Sequence, residues 1–393
     1  MEIIVKAWLN GHLTTAGKLR WSGRHVEFWY HGTFLERGYA LDPIALPLTE
    51  TIYETSYGLQ GVLGVFGDAL PDTWNIHVLK QRYGRQLSDA EMLLADTSPQ
   101  RMGALQFFTS SAGEETAGFH TMEWLEQLAT WIVEESPSSP PAEIEWGSSA
   151  GGAKPKTLIS LDGAEWIAKF SARNDPIPSS WIEHGTMRLA AACGIQVPET
   201  RVVVLTDGHN TPVILVKRFD REGNDRLHRL SAHTLCGVIQ DENGVIINDY
   251  RSYLRFADRL AMICRNDPED RQALFRRAAF NLLVNNHDDH AKNHAVIRGG
   301  DGAWRLSPAF DLVAGEGGRK DMAMIIGREG NKASIENFLS ESERFALTEE
   351  EARSVIQELL TVLANWRQLF ADAGVPEQWI EATAWAIKGD VDV

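Results

Sequence analysis

A change of pattern along the chain most constrains what this sequence can fold into. Between residues 156 and 219, short runs of β-branched and aromatic residues alternate with turn residues, which is typical of strands. From about Ser231 onward, apolar residues recur at helical spacing in several segments. This order predicts an α+β protein with a strand-rich part and a helical part. At 393 residues the chain is longer than one core usually grows, so we expect two or three structural units.

The first hundred or so residues predict a smaller α/β unit ahead of these two parts. Val5, Ala7 and Leu9 alternate with more polar positions as in a strand, and Val26–Tyr30 is rich in aromatic residues. The segment Ser88–Glu91 fits a capping box at the start of a helix. The unit therefore combines strands with at least one capped helix.

A proline- and serine-rich tract, Ser136–Pro141, predicts a boundary, because this composition forms stiff and exposed connectors. Ahead of the tract, Met122, Leu125, Leu128 and Ile132 lie on one face of a predicted helix. We therefore predict three domains. They are an N-terminal domain (residues 1–135), a strand-rich lobe (142–225) and a helical lobe (226–393).

Composition and charge argue against several classes of protein. The three cysteines are widely spaced and include no CxxC pair, so reduced thiols are expected rather than disulfides or a zinc site. The sequence has no run of about 18 apolar residues and no leader-like start, so we expect a cytoplasmic protein that does not contact the membrane. The net charge of −16 disfavours direct reading of DNA, because nucleic-acid binders usually present a basic face. DNA is expected to be reached only through a partner.

The segment Asn286–Asn293 carries the sharpest chemical signal. It reads NHDDHAKN, in which Asp288 and Asn293 reproduce the D-x-x-x-x-N spacing of a kinase catalytic loop. Asp311 follows after a predicted pair of strands. An amide oxygen and a carboxylate suit Mg²⁺, which prefers hard oxygen ligands. We therefore predict Asp288 as the residue that orients the attacking hydroxyl, and Asn293 with Asp311 as metal ligands.

Features further upstream match the other parts that phosphoryl transfer from ATP requires. Gly147–Lys154 is a loop of small residues, whose main-chain N–H groups can approach phosphate oxygens. Lys169 lies on the second predicted strand after this loop, and a lysine in an apolar strand requires a phosphate or a carboxylate nearby. Glu183, early in the next predicted helix, is the candidate partner. The order of these parts is that of a kinase.

Taken together, the segments SSAGGAKPKTLI, KRFDR, NNHDDHAKNH and LSPAFDLV resemble the HipA family of bacterial toxin kinases. FGDALPDTW and RMGALQF are similar to the amino-terminal subdomain of that family, so the resemblance covers most of the chain. It implies a two-lobed fold related to phosphoinositide kinases, the use of ATP with Mg²⁺, and transfer to a protein serine or threonine. It also implies a helix-turn-helix antitoxin (HipB-like) that carries the complex to operator DNA, and an aminoacyl-tRNA synthetase as the substrate.

The resemblance also implies roles for single residues. Asp288, His290 and Lys292 form the catalytic group, in which His290 braces the catalytic loop. Asn293 and Asp311 hold the metal. The ATP contacts that it implies, besides Asn293 and Asp311, are Ser149, Ala150, Gly151, Gly152, Ala153, Lys154, Lys169, Lys217, Phe219 and Asp220.

Two serines of the glycine loop are candidate phosphorylation sites. Ser149 matches a loop serine that family members phosphorylate on themselves, and Ser148 is a second candidate acceptor. The chain departs from the family at Lys154–Pro155, where an acidic or amide residue is more usual at one or both positions, and at Lys217, where an acidic residue is common. Lys154 and the nearby Lys156 are either solvated or contact phosphate or substrate. These departures leave the substrate more open than the chemistry.

Other interpretations stay open on sequence alone. His287, His290 and His294 with Asp288 would fit a zinc site or a phosphohydrolase dyad, although this leaves Lys169 and the glycine loop without a role. A catalytically weak binding module that acts with the antitoxin as corepressor would retain the same residues, and so would a small-molecule kinase. The loop as a plain surface turn, and the acidic residues as turn or helix residues, are the structural alternatives.

Overall fold

The structure, a computed structural model, describes residues 1–95, 101–109, 155–171, 177–206, 210–223, 225–248, 250–316 and 320–387. The contacts group into two compact units. The first comprises Met1–Ala168, Arg218–Tyr250 and Ile297–Ala303, and the second comprises Lys169–Lys217, Arg251–Val296 and Trp304–Val393. The predicted glycine loop, the tract Ser136–Pro141 and the helix predicted around Met122–Ile132 lie outside the described residues. The division into three domains stays a prediction.

Strands occur in both units. They are β1 (Glu2–Leu9), β2 (His12–Ser22), β3 (His25–Tyr30), β4 (Tyr53–Thr55), β5 (Leu105–Phe108), β6 (Lys156–Leu161), β7 (Ala164–Phe170), β8 (Thr200–Val204), β9 (Pro212–Lys217), β10 (Arg221–Glu222), β11 (Asp225–Arg226), β12 (His228–Ser231), β13 (Ile239–Gln240), β14 (Ile246–Asn248), β15 (Ala295–Arg298) and β16 (Trp304–Leu306).

Among the described helices, the three longest lie in the second unit. The helices are α1 (Gly32–Arg37), α2 (Gly64–Gly67), α3 (Thr73–Tyr83), α4 (Asp89–Ala95), α5 (Ser179–Ala192), α6 (Ala232–Cys236), α7 (Tyr253–Ile263), α8 (Glu269–Leu283), α9 (Ile335–Leu339), α10 (Glu349–Leu363), α11 (Trp366–Asp372) and α12 (Glu377–Thr383). Within the described ranges, none of them has the length and apolar character that a membrane span needs. The predicted mixture of strands and helices is confirmed.

The first unit is built on an antiparallel sheet with the strand order β4-β3-β2-β1-β5. Ile3, Val5 and Ala7 of β1 are fully buried, while the residues between them are partly exposed. The period of two therefore turns one face of the sheet toward the core. The strands predicted around Val5 and at Val26–Tyr30 are confirmed, although Leu9 is only half-buried at the end of β1.

Two local signals in the first unit form as their sequences predict. At the start of α4, the Ser88 N–H donates to Glu91 Oε2 at 2.9 Å and the Glu91 N–H donates to Ser88 Oγ at 3.4 Å, which completes the capping box. Between β6 and β7, Asp162 and Gly163 have φ angles of 54° and 73°. Two successive left-handed residues form the tight turn that matches the twist of a hairpin.

In the second unit, β8 pairs with β9 in an antiparallel ladder, with Val202 opposite Ile214. Helix α5 packs against both strands and against α11. Gly185 permits this close approach, because a Cβ at this position would lie 2.8 Å from the ring of Phe370. The helix ends as predicted near Gly194, which has a φ of 75° and donates its N–H to the carbonyl of Ala191.

Helices α8 and α9 pack through an aromatic cluster. The rings of Phe275 on α8 and Phe338 on α9 stack with centroids 4.4 Å apart, and Phe345 meets Phe275 edge-on at 5.4 Å. The long helical stretch predicted from Thr348 to Ala373 is divided into α10 and α11, with Asn365 between them. The predicted strand pair before Asp311 is present as β15 and β16.

Candidate active site

Lys169 lies between two carboxylates in the second unit. Its Nζ donates to Glu183 Oε1 and to Asp311 Oδ1, each at 2.6 Å. Lys169 stands near the end of β7, Glu183 is in the first turns of α5, and Asp311 follows β16. The predicted pair of Lys169 with Glu183 is therefore present, and Asp311 joins it.

The charges around Lys169 depart from those of a simple ion pair. Burial alone lowers the pKa of Lys169, but the charges of Asp311 and Glu183 outweigh burial and raise the pKa well above its ordinary value. Burial raises the pKa of Glu183, and the nearby carboxylates of Asp311 and Glu316 add to this effect against the opposing charge of Lys169. Lys169 therefore remains protonated among more acidic groups than one cation can balance.

Asp311 occupies an uncommon backbone conformation. Its φ angle is 61°, in the left-handed region that residues other than glycine rarely adopt. The segment is held on both sides: the Ala309 N–H donates to the carbonyl of Gln196 at 2.7 Å, and the Ala314 N–H donates to Thr186 Oγ1 at 3.1 Å. Such strained residues cluster at functional sites, because only a well-held segment retains them.

The loop after α8 is organised around Asp289, which is fully buried. Its Oδ2 accepts hydrogen bonds from Asn281 Nδ2 at 2.8 Å and from the hydroxyl of Tyr253, and His294 Nε2 lies 2.7 Å away. The sequence alone did not predict this arrangement. The available signal was a second Asp directly after Asp288, which spacing alone cannot assign to the interior.

The predicted functional residues of the loop alternate with its buried residues. Asp288 and Asn293 are half-buried on either side of the buried Ala291. The sequence predicts that His290 braces the loop, but His290 Nδ1 has no hydrogen-bond partner among the described residues. The observed side-chain contacts to the loop centre instead come through Asp289. Lys292 is exposed.

The chain after Asp311 is bonded to the start of the catalytic loop. The Gly315 N–H donates to the carbonyl of Val284 at 3.0 Å, and the His287 N–H donates to the carbonyl of Glu316 at 3.1 Å. Because these bonds join neighbouring stretches of backbone, the segments that carry Asp288 and Asp311 lie side by side. The second unit thus brings the predicted catalytic and metal-binding segments together.

The donor set fits Mg²⁺ better than zinc. The predicted ligands Asn293 and Asp311 would supply an amide and a carboxylate oxygen, and the surplus of acidic groups around Lys169 favours a cation. Within the described ranges, the three histidines of the loop do not form a cluster of metal-binding side chains. A cluster with close donor atoms occurs in the first unit instead, at His25, Glu27 and Glu54, and it is partly exposed.

Lys217 and Asp220, which are both predicted to contact ATP, differ in their surroundings. Lys217 is exposed and pairs with Glu199 at 3.3 Å in the second unit. Asp220, in the first unit, is fully buried and pairs with Arg218 at 2.8 Å and Arg221 at 2.9 Å. Burial opposes the ionisation of Asp220, but these two arginines outweigh burial and lower its pKa. Its carboxylate is thus engaged inside the first unit, and its contact with nucleotide stays a prediction.

The remaining residues predicted near the nucleotide are described only in part. Phe219 is half-buried. Lys156, for which a solvated position was one open interpretation, is buried and pairs with Asp72 at 2.8 Å within the first unit. Residues 148–154, which include both candidate phosphorylation sites, lie outside the described residues.

Two family matches together span most of the chain. Residues 5–108 match the HipA N-terminal domain, and residues 148–366 match the HipA-like C-terminal domain. The second match includes Lys169, Asp288, Asn293 and Asp311.

The chain is also similar to individual curated proteins. The serine/threonine-protein kinase toxin HipA of Shewanella oneidensis is 26% identical over 322 residues, which cover 74% of this chain and 72% of that protein. A putative kinase of Haemophilus influenzae is 28% identical over 184 residues, or 43% of this chain. The match spans only about half of the Haemophilus protein, 53% of its length.

A solved structure shares the fold. It is the complex of HipA, HipB and operator DNA from Shewanella oneidensis, with a TM-score of 0.71 and 21% identity. The match covers 99% of this chain and 100% of the other. At this level of identity, the likeness concerns the fold alone.

Proposed function

Because this chain belongs to the HipA family, we propose that it is an ATP-dependent protein serine/threonine kinase and the toxin of a toxin–antitoxin pair. One observation carries the proposal: Lys169 bridges Glu183 and Asp311 at 2.6 Å within the unit that also holds the Asp288–Asn293 loop. A lysine, its helical glutamate and a metal-binding aspartate are the parts that a kinase must assemble before it can transfer phosphate. The kinase names of the Shewanella and Haemophilus relatives support the proposal.

Each residue of the candidate active site has its own role in the proposed reaction. Lys169 binds the phosphates of ATP, and Glu183 keeps the Lys169 ammonium in place. Asn293 and Asp311 would hold Mg²⁺, which supplies neutralisation of phosphate charge when bound. Asp288 accepts a hydrogen bond from the serine or threonine hydroxyl, and so directs its oxygen toward the phosphate.

The wider architecture is part of the proposal. We place the glycine loop of residues 147–154 over the phosphates, with Ser149 or Ser148 as an acceptor of autophosphorylation. The strand that ends at Lys217, together with Phe219 and Asp220 that follow it, would lie beneath the adenine and ribose. The two-lobed arrangement related to phosphoinositide kinases and a place in the cytoplasm complete the proposal.

The proposed partners are those of the family. A HipB-like helix-turn-helix antitoxin would bind this chain and bring it to DNA. The Shewanella complex contains HipA together with HipB and operator DNA, which supports a partner of this kind. A net charge of −16 is consistent with an indirect approach to DNA. An aminoacyl-tRNA synthetase is the proposed substrate.

Phosphate transfer by purified variants tests the proposal. With labelled ATP and Mg²⁺, the native chain should phosphorylate itself or an added synthetase, and Asp288→Asn should reduce the rate by at least about hundredfold. Asp258→Asn is the matched control, because Asp258 is partly exposed on α7 of the same unit and forms a surface pair with Arg344. Transfer by Asp288→Asn at the native rate would overturn the assignment.

Calorimetric titration with ATP separates the kinase from the alternative of a corepressor without catalysis. Binding that is weakened by Lys169→Met but retained in Asp288→Asn supports a working nucleotide site. No measurable ATP binding by the unphosphorylated native chain would favour the corepressor.

A further inference from the structure

Helix α8 carries a row of polar side chains on its inner face. Asp270, Arg277 and Asn281 are separated by seven and four residues, a spacing that places them on one face of a helix. Arg277 and Asn281 are buried, and Asp270 is half-buried. Polar groups in such positions are costly to bury unless they form hydrogen bonds.

The first two side chains of the row form hydrogen bonds with one short stretch of backbone. Asp270 Oδ1 accepts the Leu306 N–H at 2.9 Å, and Arg277 Nη2 donates to the carbonyl of Ser307 at 2.6 Å. The two bonds therefore hold adjacent residues at the end of β16. From there the chain runs through a few residues to Asp311.

The third side chain of the row holds the catalytic loop. Asn281 Nδ2 donates to Asp289 Oδ2 at 2.8 Å, and Asn281 Oδ1 accepts from Asn286 Nδ2 at 3.1 Å. One rigid helix is thus bonded both to the loop that carries Asn293 and to the stretch that leads to Asp311. The relative position of these two residues depends on α8.

Burial of the Arg277 guanidinium costs more free energy than a purely structural role would require. Its side chain is buried, and its Nε and Nη1 have no hydrogen-bond partner in the part of the chain that the structure describes. Burial lowers the pKa of Arg277 to about 9, and the nearby charge of Asp270 only partly opposes this. A buried cation whose donors are only partly paired is costly, because burial disfavours its charged form.

We propose that Arg277 and Asp270 are positioning residues that set the distance between Asp311 and Asn293, and thereby the affinity of the site for a divalent cation. The inference rests on the proposed function, because it takes these two residues as the metal ligands. Neither positioning residue touches the metal or the nucleotide. Both act through the backbone of Leu306 and Ser307.

The test compares Arg277→Met with Arg276→Met. Arg276 is the next residue of the same helix, but it pairs with Glu358 at 2.6 Å on another face, so its substitution is the matched control. Mn²⁺ and Mg²⁺ are titrated calorimetrically into the full chain with a non-hydrolysable ATP analogue. We expect Arg277→Met to weaken metal affinity by about tenfold, as is typical when a residue that supports a metal ligand is lost. Arg276→Met should stay within about twofold of the native chain.

A purely structural role would give a different pattern. It predicts a lower Tm for Arg277→Met with unchanged metal affinity, whereas positioning predicts weakened metal binding whatever the change in Tm. Hydrogen exchange at the Leu306 amide should also become faster in the metal-free variant. Unchanged metal affinity and unchanged exchange in Arg277→Met would overturn the inference.

Substitutions at Asp270 keep the test decisive if Arg277→Met fails to fold. Asp270→Asn retains an oxygen that can accept the Leu306 N–H, so it should bind metal nearly as well as the native chain. Asp270→Ala removes the acceptor and should lose about tenfold in metal affinity. Equal affinities for these two variants would contradict the inference.

The failure of this inference can be told from the failure of the proposed function. Metal binding and exchange are measured without phosphate transfer, so they report on Arg277 and Asp270 even in a chain that transfers nothing. Loss of transfer in the native chain would overturn the kinase, while native metal affinity in both Arg277→Met and Asp270→Ala would overturn only the positioning role.

Discussion

His294 Nε2 lies 2.7 Å from Asp289 Oδ2, and both side chains are buried. Asp289 directly follows Asp288, and His294 directly follows Asn293. The two functional residues of the catalytic loop are therefore each adjacent to one end of a single buried hydrogen bond. This buried contact holds the loop from inside, with Asp288 next to one of its ends and Asn293 next to the other.

Loss of the Asp289 carboxylate should destabilise the fold strongly. Asp289→Ala leaves Tyr253, Asn281 and His294 without their shared acceptor, and we expect the free energy of unfolding to fall by about 3 kcal/mol. Urea denaturation measures this change. Asp258→Ala on the exposed side of α7 should change stability by less than about 0.5 kcal/mol. Similar stability of the two variants would refute the role of Asp289 as the centre of the loop.

Asp311→Asn should separate chemistry from folding. Asn tolerates a left-handed φ of 61°, so the backbone should keep its conformation, while the ligand charge is lost. We expect Mg²⁺-dependent transfer to fall by at least about hundredfold with a Tm near the native value. Asp311→Val should lose transfer and also about 1–3 kcal/mol of stability, because a β-branched residue is strained there. Equal Tm values for the two variants would contradict the strain argument.

Gly185→Ala should loosen the packing of α5 against α11. The new Cβ would lie 2.8 Å from the Phe370 ring, and overpacking of this kind costs about 1–3 kcal/mol. Gly32→Ala is the control, since a Cβ there meets no atom within 4 Å, and stability should be unchanged or slightly higher. Chemical denaturation of both variants tests this prediction. A native free energy of unfolding in Gly185→Ala would show that the Phe370 ring moves aside without cost.

The stability of the first unit should depend on pH through His228. Burial lowers the pKa of His228 from 6.5 to about 4, with Arg298 acting in the same direction and Asp68 and the Leu41 carbonyl opposing. The unfolded chain therefore binds a proton at His228 more tightly than the folded chain does. The contribution of His228 to the free energy of unfolding is fully present above pH 6.5 and is lost as the pH falls toward about 4. The total loss of unfolding free energy on protonation of His228 is on the order of 3 kcal/mol.

His228→Gln provides the comparison for this pH dependence. Gln can still donate to the Leu41 carbonyl, which His228 contacts at 2.7 Å, but it does not titrate. The difference in unfolding free energy between the native chain and His228→Gln should shrink as the pH falls from 6.5 to about 4. A difference that is constant across this range would contradict the assigned shift.

Much of the secondary structure could be read from the sequence because its signals are local. The Ser88–Glu91 capping box, the Asp162-Gly163 turn and the end of α5 near Gly194 all depend on residues that are close in the chain. The division between α10 and α11 near Asn365 escaped prediction, since the apolar pattern continues through it. Local propensity does not report where neighbouring elements require a helix to end.

The candidate site was predictable in its parts but not in its contacts. The spacing of Asp288 and Asn293 pointed to a kinase loop, and the lysine in an apolar strand required an acidic partner, which the structure supplies as Glu183. That Asp311 would share this lysine could not be predicted, because the contact joins residues 142 positions apart. Lys156 shows the same limit: its partner Asp72 is distant in sequence, and the pair is buried.

The sequence by itself determined which kinds of residue stand in which order: a lysine on a strand, a helical glutamate, a D-x-x-x-x-N loop and a following aspartate. Only the tertiary structure decided which acidic residues face the solvent side of the site and which face its interior. Asp288 and Asp289 are chemically identical neighbours, yet Asp289 is buried and bonded by three side chains from other positions in the chain. The physical reason is that burial and hydrogen bonding are set by packing between elements, which spacing along the chain does not encode.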